Sequence, residues 1–193
     1  MRALVIASGN AGKVLEFQAL LRHLPLEIRA QPFGLDVEET GFSFASNARI
    51  KAKAVAAATG EWALADDSGL SVKFLDGAPG VHSARYAPTD PERIAKLLNA
   101  MRPAADRSAS FCAALCIAAP DGTVLAEVEG RCEGSITLMP RGDQGFGYDP
   151  IFEVNNTGRT FAEMDLATKK HHGHRGKAFT LLEPSLRQLI ASN

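Results

Sequence analysis

Ala3-Leu4-Val5-Ile6-Ala7-Ser8-Gly9-Asn10-Ala11-Gly12-Lys13-Val14 decides the fold. Ala3 to Ala7 reads as a buried strand, Ser8 to Lys13 as a Gly-rich turn, and apolar Val14, Phe17, Leu20, Leu21 and Leu24 recur at helical spacing behind it. Strand, turn and helix in this order open a parallel strand-helix unit. Leu26 to Ala30, after Pro25, supplies the next strand.

Working outward, an acidic loop from Asp36 to Gly41 leads to an Ala-rich helix over Phe44 to Thr59, with Ser43 as N-cap and Gly60 as its close. Trp62 to Ala65 reads as a buried strand that arrives at a turn, Asp66-Asp67-Ser68-Gly69, before a second extended run from Leu70 to Leu75. Gly77 to Gly80 is a loop. Thr89-Asp90-Pro91-Glu92 combines capping-box spacing with an early proline and starts a helix to about Met101. Ser110 to Ala119 and Thr123 to Cys132 flank Pro120-Asp121-Gly122 as an antiparallel hairpin, and Ser135 to Leu138 adds a strand. Arg141 to Asp149 is a shaped loop, Thr160-x-x-Glu163 opens a short helix, and Pro184 should break or kink a terminal helix over Arg175 to Ile190. The fold class is α/β, a central mixed sheet flanked by helices. Residues 1–193 form one domain with two lobes, the hairpin-containing lobe covering about 105–140.

The composition fits this reading. A chain of 193 residues with 46% hydrophobic and 22% charged side chains has the size and apolar content of one folded domain. A formal net charge of -1, from 21 Lys+Arg against 22 Asp+Glu, provides no global field for nucleic acid or anionic membrane, so any anion must be bound locally. Cys112, Cys116 and Cys132 are too few for a disulfide scaffold and read as buried free thiols. No stretch has the length of a membrane span or signal peptide, and a soluble cytoplasmic protein is expected.

Several clusters could carry chemistry. Ser8, Gly9, Asn10, Ala11, Gly12 and Lys13 combine a glycine turn, a helix N-terminus and a cation, as a phosphate site requires. Ala7 and Val14 stand where a Walker A loop has Gly and Ser/Thr, so it is not that motif. Glu38-Glu39-Thr40-Gly41 and Asp66-Asp67-Ser68-Gly69 set carboxylates beside glycines, an oxygen set suited to Mg²⁺, with one member of each pair structural. Asn47 and Lys51 share a helix face at the i, i+4 spacing. Phe146, Gly147, Tyr148 and Asp149 join an aromatic platform to a polar edge. His171, His172 and His174 match no standard zinc spacing.

Taken in order, Ser8-Gly9-Asn10-x-x-Lys13, Glu38-Glu39-Thr40-Gly41-x-x-Phe44-x-x-Asn47-Ala48-x-x-Lys51-Ala52 and Ala65-Asp66-Asp67-Ser68-Gly69-Leu70 resemble the non-canonical purine nucleoside triphosphate pyrophosphatases. This is the inosine triphosphatase family, also called Ham1-like or RdgB-like. Gly77 to Tyr86, Gly145 to Phe152, Thr160 to Met164, Lys169 and His174-Arg175 continue the pattern. The resemblance implies an elongated two-lobed architecture, a homodimer, and Mg²⁺-dependent hydrolysis of ITP, dITP and XTP to the monophosphate and pyrophosphate. It makes Asp67 the general base and a metal carboxylate, and Glu38 the second metal carboxylate. Lys13, Lys51 and Lys169 become phosphate contacts, with Ser8, Asn10 and Ser68 beside them; Phe146, Asp149, His174 and Arg175 take base-binding positions. Gly173 stands where the family usually has Ser.

This chemistry is coherent with the residue types. Mg²⁺ on Glu38 and Asp67 would bridge phosphate oxygens while a carboxylate deprotonates water, and lysines neutralise the remaining charge. His174 and Arg175 are donors suited to the O6 acceptor of hypoxanthine or xanthine, a group that adenine replaces with an amino donor. Two rivals are a same-fold phosphohydrolase for another modified nucleotide, and a nucleotide- or RNA-binding regulator without turnover. The second finds no basic stripe in the sequence.

Overall fold

The computed structural model describes residues 2–192. In chain order the elements are β1 (Arg2–Ala7), α1 (Ala11–Leu21), β2 (Leu26–Ala30), α2 (Phe44–Thr59), β3 (Trp62–Val72), α3 (Asp90–Ala100), β4 (Ser108–Ala118), β5 (Val124–Ile136), β6 (Phe152–Val154), α4 (Leu166–His172) and α5 (His174–Ala191). The strands form one mixed sheet in the order β2-β1-β3-β4-β5-β6. β1 is parallel to both β2 and β3, while β5 and β6 are antiparallel. β4 and β5 are sheet neighbours joined by so short a segment that only an antiparallel hairpin is possible. Its turn closes with Gly122 N–H donating to the Ala119 carbonyl at 3.0 Å, with Gly122 at φ +86°.

The chain divides into two compact units. The first comprises Met1–Asp67, Ala113–Gly130 and Gly176–Asn193. Successive side chains of a strand point to opposite faces, and this unit separates its core accordingly. Leu4 and Ile6 of β1, Trp62 and Leu64 of β3, and Leu115 and Ile117 of β4 pack with Phe17, Leu20 and Leu21 of α1 and Phe179, Leu182 and Leu186 of α5. The residues between them, Val5, Ala7, Ala63, Ala65, Ala114 and Cys116, pack with Ala48, Ala52, Val55 and Ala56 of α2. Small side chains on both partners let α2 approach closely. Truncating a fully buried leucine such as Leu64 in this core would cost about 2–5 kcal/mol.

The second unit comprises Ser68–Cys112 and Arg131–Arg175. Leu70 and Val72 of β3, Leu97 of α3, Phe111 of β4, Ile136 of β5 and Phe152 of β6 join Phe161 and Met164 in its core. The boundary cuts the β4–β5 hairpin: its residues 113–118 and 124–130 belong to the first unit and the remainder to the second. The anticipated hairpin lobe over about 105–140 therefore differs from this division.

Several elements match their sequence signals. β2 and α2 occupy the anticipated residues, Ser43 caps α2 by accepting from Ser46 N–H, and Gly60 ends it at φ +70°. Thr89 and Glu92 form the capping box of α3. Four features differ. β3 runs unbroken through Asp66-Asp67-Ser68-Gly69, where a turn is expected, because basic side chains meet both carboxylates within the folded unit. β5 absorbs Ser135 and Ile136 instead of ending at Cys132. β6 is three residues long and α4 is largely polar, so neither shows hydrophobic periodicity. α5 continues past Pro184, which lies on an exposed face where solvent can take the Thr180 carbonyl that loses its helical partner.

Candidate functional site

The first polar group follows from the parity of β3. Asp66 continues the row of Trp62 and Leu64, the face against which α1 packs, and meets Lys13 of α1. Lys13 Nζ is 2.7 Å from Asp66 Oδ2. Asp67 continues the row of Ala63 and Ala65, the face of α2, and meets Lys51 of α2, whose Nζ is 3.5 Å from Asp67 Oδ1. Lys51 Nζ also donates to Glu39 Oε1 at 2.6 Å and to the Asp66 carbonyl at 2.9 Å. One turn earlier on α2, Asn47 Oδ1 accepts from Gly41 N–H at 2.8 Å and ties the acidic loop to the helix. A Cβ at Gly41 would lie 2.2 Å from Ser46 Oγ, so the close approach requires glycine.

Both aspartates are buried, at 2% exposure for Asp66 and 5% for Asp67. Burial pushes the Asp67 carboxyl above its usual pKa, and Glu39 adds to the rise, against the opposing pull of Lys51, Lys13 and Asn47. Burial opposes the charge on Lys51, yet Asp67, Glu39 and Asp66 together hold its pKa above the usual lysine value. Asp67 Oδ2 is buried and makes no hydrogen bond among the described residues. A carboxylate oxygen so placed fits a hard cation, with the Glu39 carboxylate on the same lysine. Among the described residues no group of three or more His, Cys, Asp or Glu is arranged to hold a metal by itself. A Mg²⁺ ion would rest on one or two carboxylates completed by water and ligand phosphates.

The Gly-rich turn lies at the start of α1. Ser8 Oγ accepts from Asn10 N–H at 3.1 Å, and Asn10 Oδ1 caps the helix by accepting from Lys13 N–H at 3.0 Å. Gly9 has open space around it, and Ala11 is exposed beside Gly12. The N–H groups of a first helical turn lack intrahelical acceptors and suit an anion.

The second unit holds the other group. Phe146 is flanked by two cations, with Lys169 Nζ 4.8 Å and the Arg175 guanidinium carbon 5.4 Å from its ring centroid. Lys169 Nζ donates to Asp149 Oδ2 at 2.7 Å, and the same oxygen accepts from Phe146 N–H at 3.0 Å. Arg175 Nη2 donates to Ser68 Oγ at 2.6 Å. Tyr148 is a core residue whose hydroxyl donates to the Ser83 carbonyl at 2.7 Å, and burial pushes its pKa far up. His174 is buried with its ring stacked on Phe111 at 4.7 Å.

The structure thus brings Lys13, Asn47, Lys51 and Asp67 together, and separately Ser68, Phe146, Asp149, Lys169 and Arg175. Glu38 is exposed, and Glu39 is the member of the acidic pair that faces Lys51. Asp66, a member of the second acidic pair, is the partner of Lys13. Strict alternation continued from Trp62 through Asp67 is the signal that assigns the two aspartates to opposite faces. Asp90 was not singled out for the site, yet it accepts from Gly147 N–H at 2.8 Å. His171 and His172 touch edge to face at a centroid distance of 4.9 Å.

Residues 4–185 match the model of the Ham1 family. The chain is 73% identical over 192 residues to a protein of Parasynechococcus marenigrum named dITP/XTP pyrophosphatase, covering 100% of this chain and 98% of that one. A Ham1 protein from Coxiella burnetii superposes with a TM-score of 0.86 at 44% identity, covering 97% of this chain and 100% of the other. The Staphylococcus aureus Ham1 protein gives a TM-score of 0.85 at 37% identity, covering 97% and 99%.

Proposed function

This chain belongs to the Ham1 family, and on that premise we propose that it hydrolyses dITP, XTP and ITP to the nucleoside monophosphate and pyrophosphate, removing deaminated purines from the nucleotide pool. The observation that carries the reading is the buried Asp67 carboxylate, held by Lys51 with one oxygen that makes no hydrogen bond among the described residues. Support for the substrate class comes from the relative named dITP/XTP pyrophosphatase.

In this mechanism the first-turn N–H groups of α1 and the Lys13 and Lys51 ammonium groups take the triphosphate oxygens. Both lysines are already oriented by carboxylates, so their charge is positioned before the substrate arrives. Asp67 orients the attacking water and accepts its proton. Burial around the carboxyl favours its protonated form, in keeping with uptake of that proton. Asp67 and Glu39 would hold a Mg²⁺ ion, which would supply charge neutralisation for the phosphate oxygens. Glu39 replaces Glu38 in this role because Glu39 is the carboxylate oriented by Lys51.

The purine stacks on Phe146, with Arg175 as donor to O6 and Ser68 fixing the guanidinium. An amino group at that position, as in adenine, would leave the donor unpaired, and a mismatch of this kind is strongly rejected. Lys169 acts beneath Phe146 as the partner of Asp149, and His174 as a packing base for this corner through Phe111. The homodimer is part of the same proposal, with sedimentation as its check. The decisive experiment is a panel of nucleoside triphosphates with and without Mg²⁺, assayed for pyrophosphate and orthophosphate. Pyrophosphate from dITP, XTP and ITP is the expected result. ATP or dUTP turned over faster than these, or orthophosphate as the primary product, would overturn it.

A further inference from the structure

Phe146 is fixed through two neighbouring peptide groups. Its own N–H donates to Asp149 Oδ2 at 3.0 Å, and the next N–H, that of Gly147, donates to Asp90 Oδ2 at 2.8 Å. Asp149 lies within the loop, three residues away, whereas Asp90 lies on α3, 57 residues away in sequence. The Gly147 backbone is at φ +61° and Gly145 at φ +75°; glycine has many other conformations open to it, so hydrogen bonds to this loop select the one observed. Asp90 is well placed to provide one. It is the first residue of α3, and its other oxygen is held by the Arg93 guanidinium. Arg93 is itself anchored on the Ala87 carbonyl at 2.9 Å.

We propose that Asp90 is a positioning residue for nucleotide base binding: through Gly147 N–H it sets the orientation of the Phe146 ring without touching the substrate. The inference rests on the proposed function, in which the purine stacks on Phe146. Removing the Asp90 carboxylate lets the loop sample other conformations and lowers the share in which the ring is presented. A hydrogen bond to a charged group is strong enough for this to cost roughly 10-fold in apparent base affinity. Lys13 and Lys51 belong to the first unit and Asp90 to the second.

The test compares Asp90→Ala and Asp90→Ser, whose side chains are too short to reach Gly147, with Asp90→Asn, which keeps an acceptor oxygen. Arg93→Ala removes the neighbouring guanidinium alone. The readouts are KM and kcat for dITP, and inhibition constants for dIMP and inorganic pyrophosphate. The short variants should raise KM for dITP and the inhibition constant for dIMP roughly 10-fold, leave kcat and pyrophosphate inhibition within about 2-fold, and be rescued by Asp90→Asn. Native KM in both short variants, or an equal rise in the pyrophosphate constant, would overturn the proposal. If Asp90→Ala fails to fold, Asp90→Ser carries the comparison. No dITP turnover by the unaltered chain overturns the functional reading and Asp90's role with it, whereas turnover that is insensitive to Asp90 overturns only the latter.

Discussion

Lys51 Nζ is 2.6 Å from Glu39 Oε1, while the adjacent Glu38 side chain is exposed. Two neighbouring residues of identical chemistry are thereby separated by orientation. Glu39→Gln should lower kcat/KM for dITP by roughly 10–100-fold and raise the Mg²⁺ concentration needed for half-maximal rate, as loss of a metal-site carboxylate or its support typically does. Glu38→Gln should stay within about 2-fold of the native enzyme, as expected of an exposed substitution away from the site. Mg²⁺ titrations of both variants check this, and the reverse ranking would return the role to Glu38.

Asp67→Asn should reduce kcat by roughly 10²–10⁴, the usual contribution of a general base. The same change should stabilise the cation-free protein. Asp67 has a folded pKa above its ordinary 3.8, so the folded state binds its proton more tightly than the unfolded chain. Its stabilising contribution is present below the unfolded pKa and lost as pH rises through the folded one. The variant should therefore melt higher than the native chain at pH 7 with EDTA, and the two melting temperatures should converge toward pH 3.8.

Phe146→Ala should raise KM for dITP roughly 10–100-fold, within the range measured for loss of base stacking on an aromatic ring. Phe146→Tyr keeps the ring face and should stay near native. Inorganic pyrophosphate should inhibit both variants as it does the native enzyme, because its proposed contacts lie on Lys13 and Lys51. A parallel rise in the pyrophosphate constant would remove Phe146 from base binding.

Pro184→Ala should stabilise the chain by about 1–3 kcal/mol, since proline inside a helix removes a hydrogen bond and crowds the preceding turn. Pro184 is exposed, so the substitution opens no cavity. Urea unfolding followed by circular dichroism measures the shift in midpoint.

Cys116 should resist alkylation in the folded protein. Burial, followed by the nearby Glu127 charge, pushes its thiol up to about 11. At pH 8 roughly a thousandth of the group is thiolate, the reactive form. Iodoacetamide followed by mass analysis of the Cys116 peptide should show labelling only after denaturation.

Local signals were the legible part of the fold. The Ser43 cap, the Gly60 terminus and the Thr89–Glu92 box each state their element within a few residues. The course of β3 was not legible in this way. Asp-Asp-Ser-Gly has turn propensity, and the cations that override it come from 15 residues away for Lys51 and 53 for Lys13. The candidate site divides along the same line. Lys13, Lys51 and Phe146 stand out by motif, but the partners that aim them, Asp66, Glu39 and Asp149 with Asp90, depend on which face or loop the chain presents. Glu38 against Glu39 is a choice that one residue of rotation decides.

The alternation of β3 also limits how this chain can change in length. Removing or adding a single residue between Trp62 and Ala65 would offer Asp66 to α2 and Asp67 to α1, or bury a carboxylate where an alanine now sits. Point substitutions at these positions alter one contact, whereas a one-residue indel exchanges the partners of two charges at once. Two-residue indels preserve the parity but shift the register against β1. Length variation is thus expected to collect in exposed turns such as Pro120-Asp121-Gly122, and a deletion scan of the coding sequence should show β3 as a segment where neither short nor compensating changes survive selection for activity.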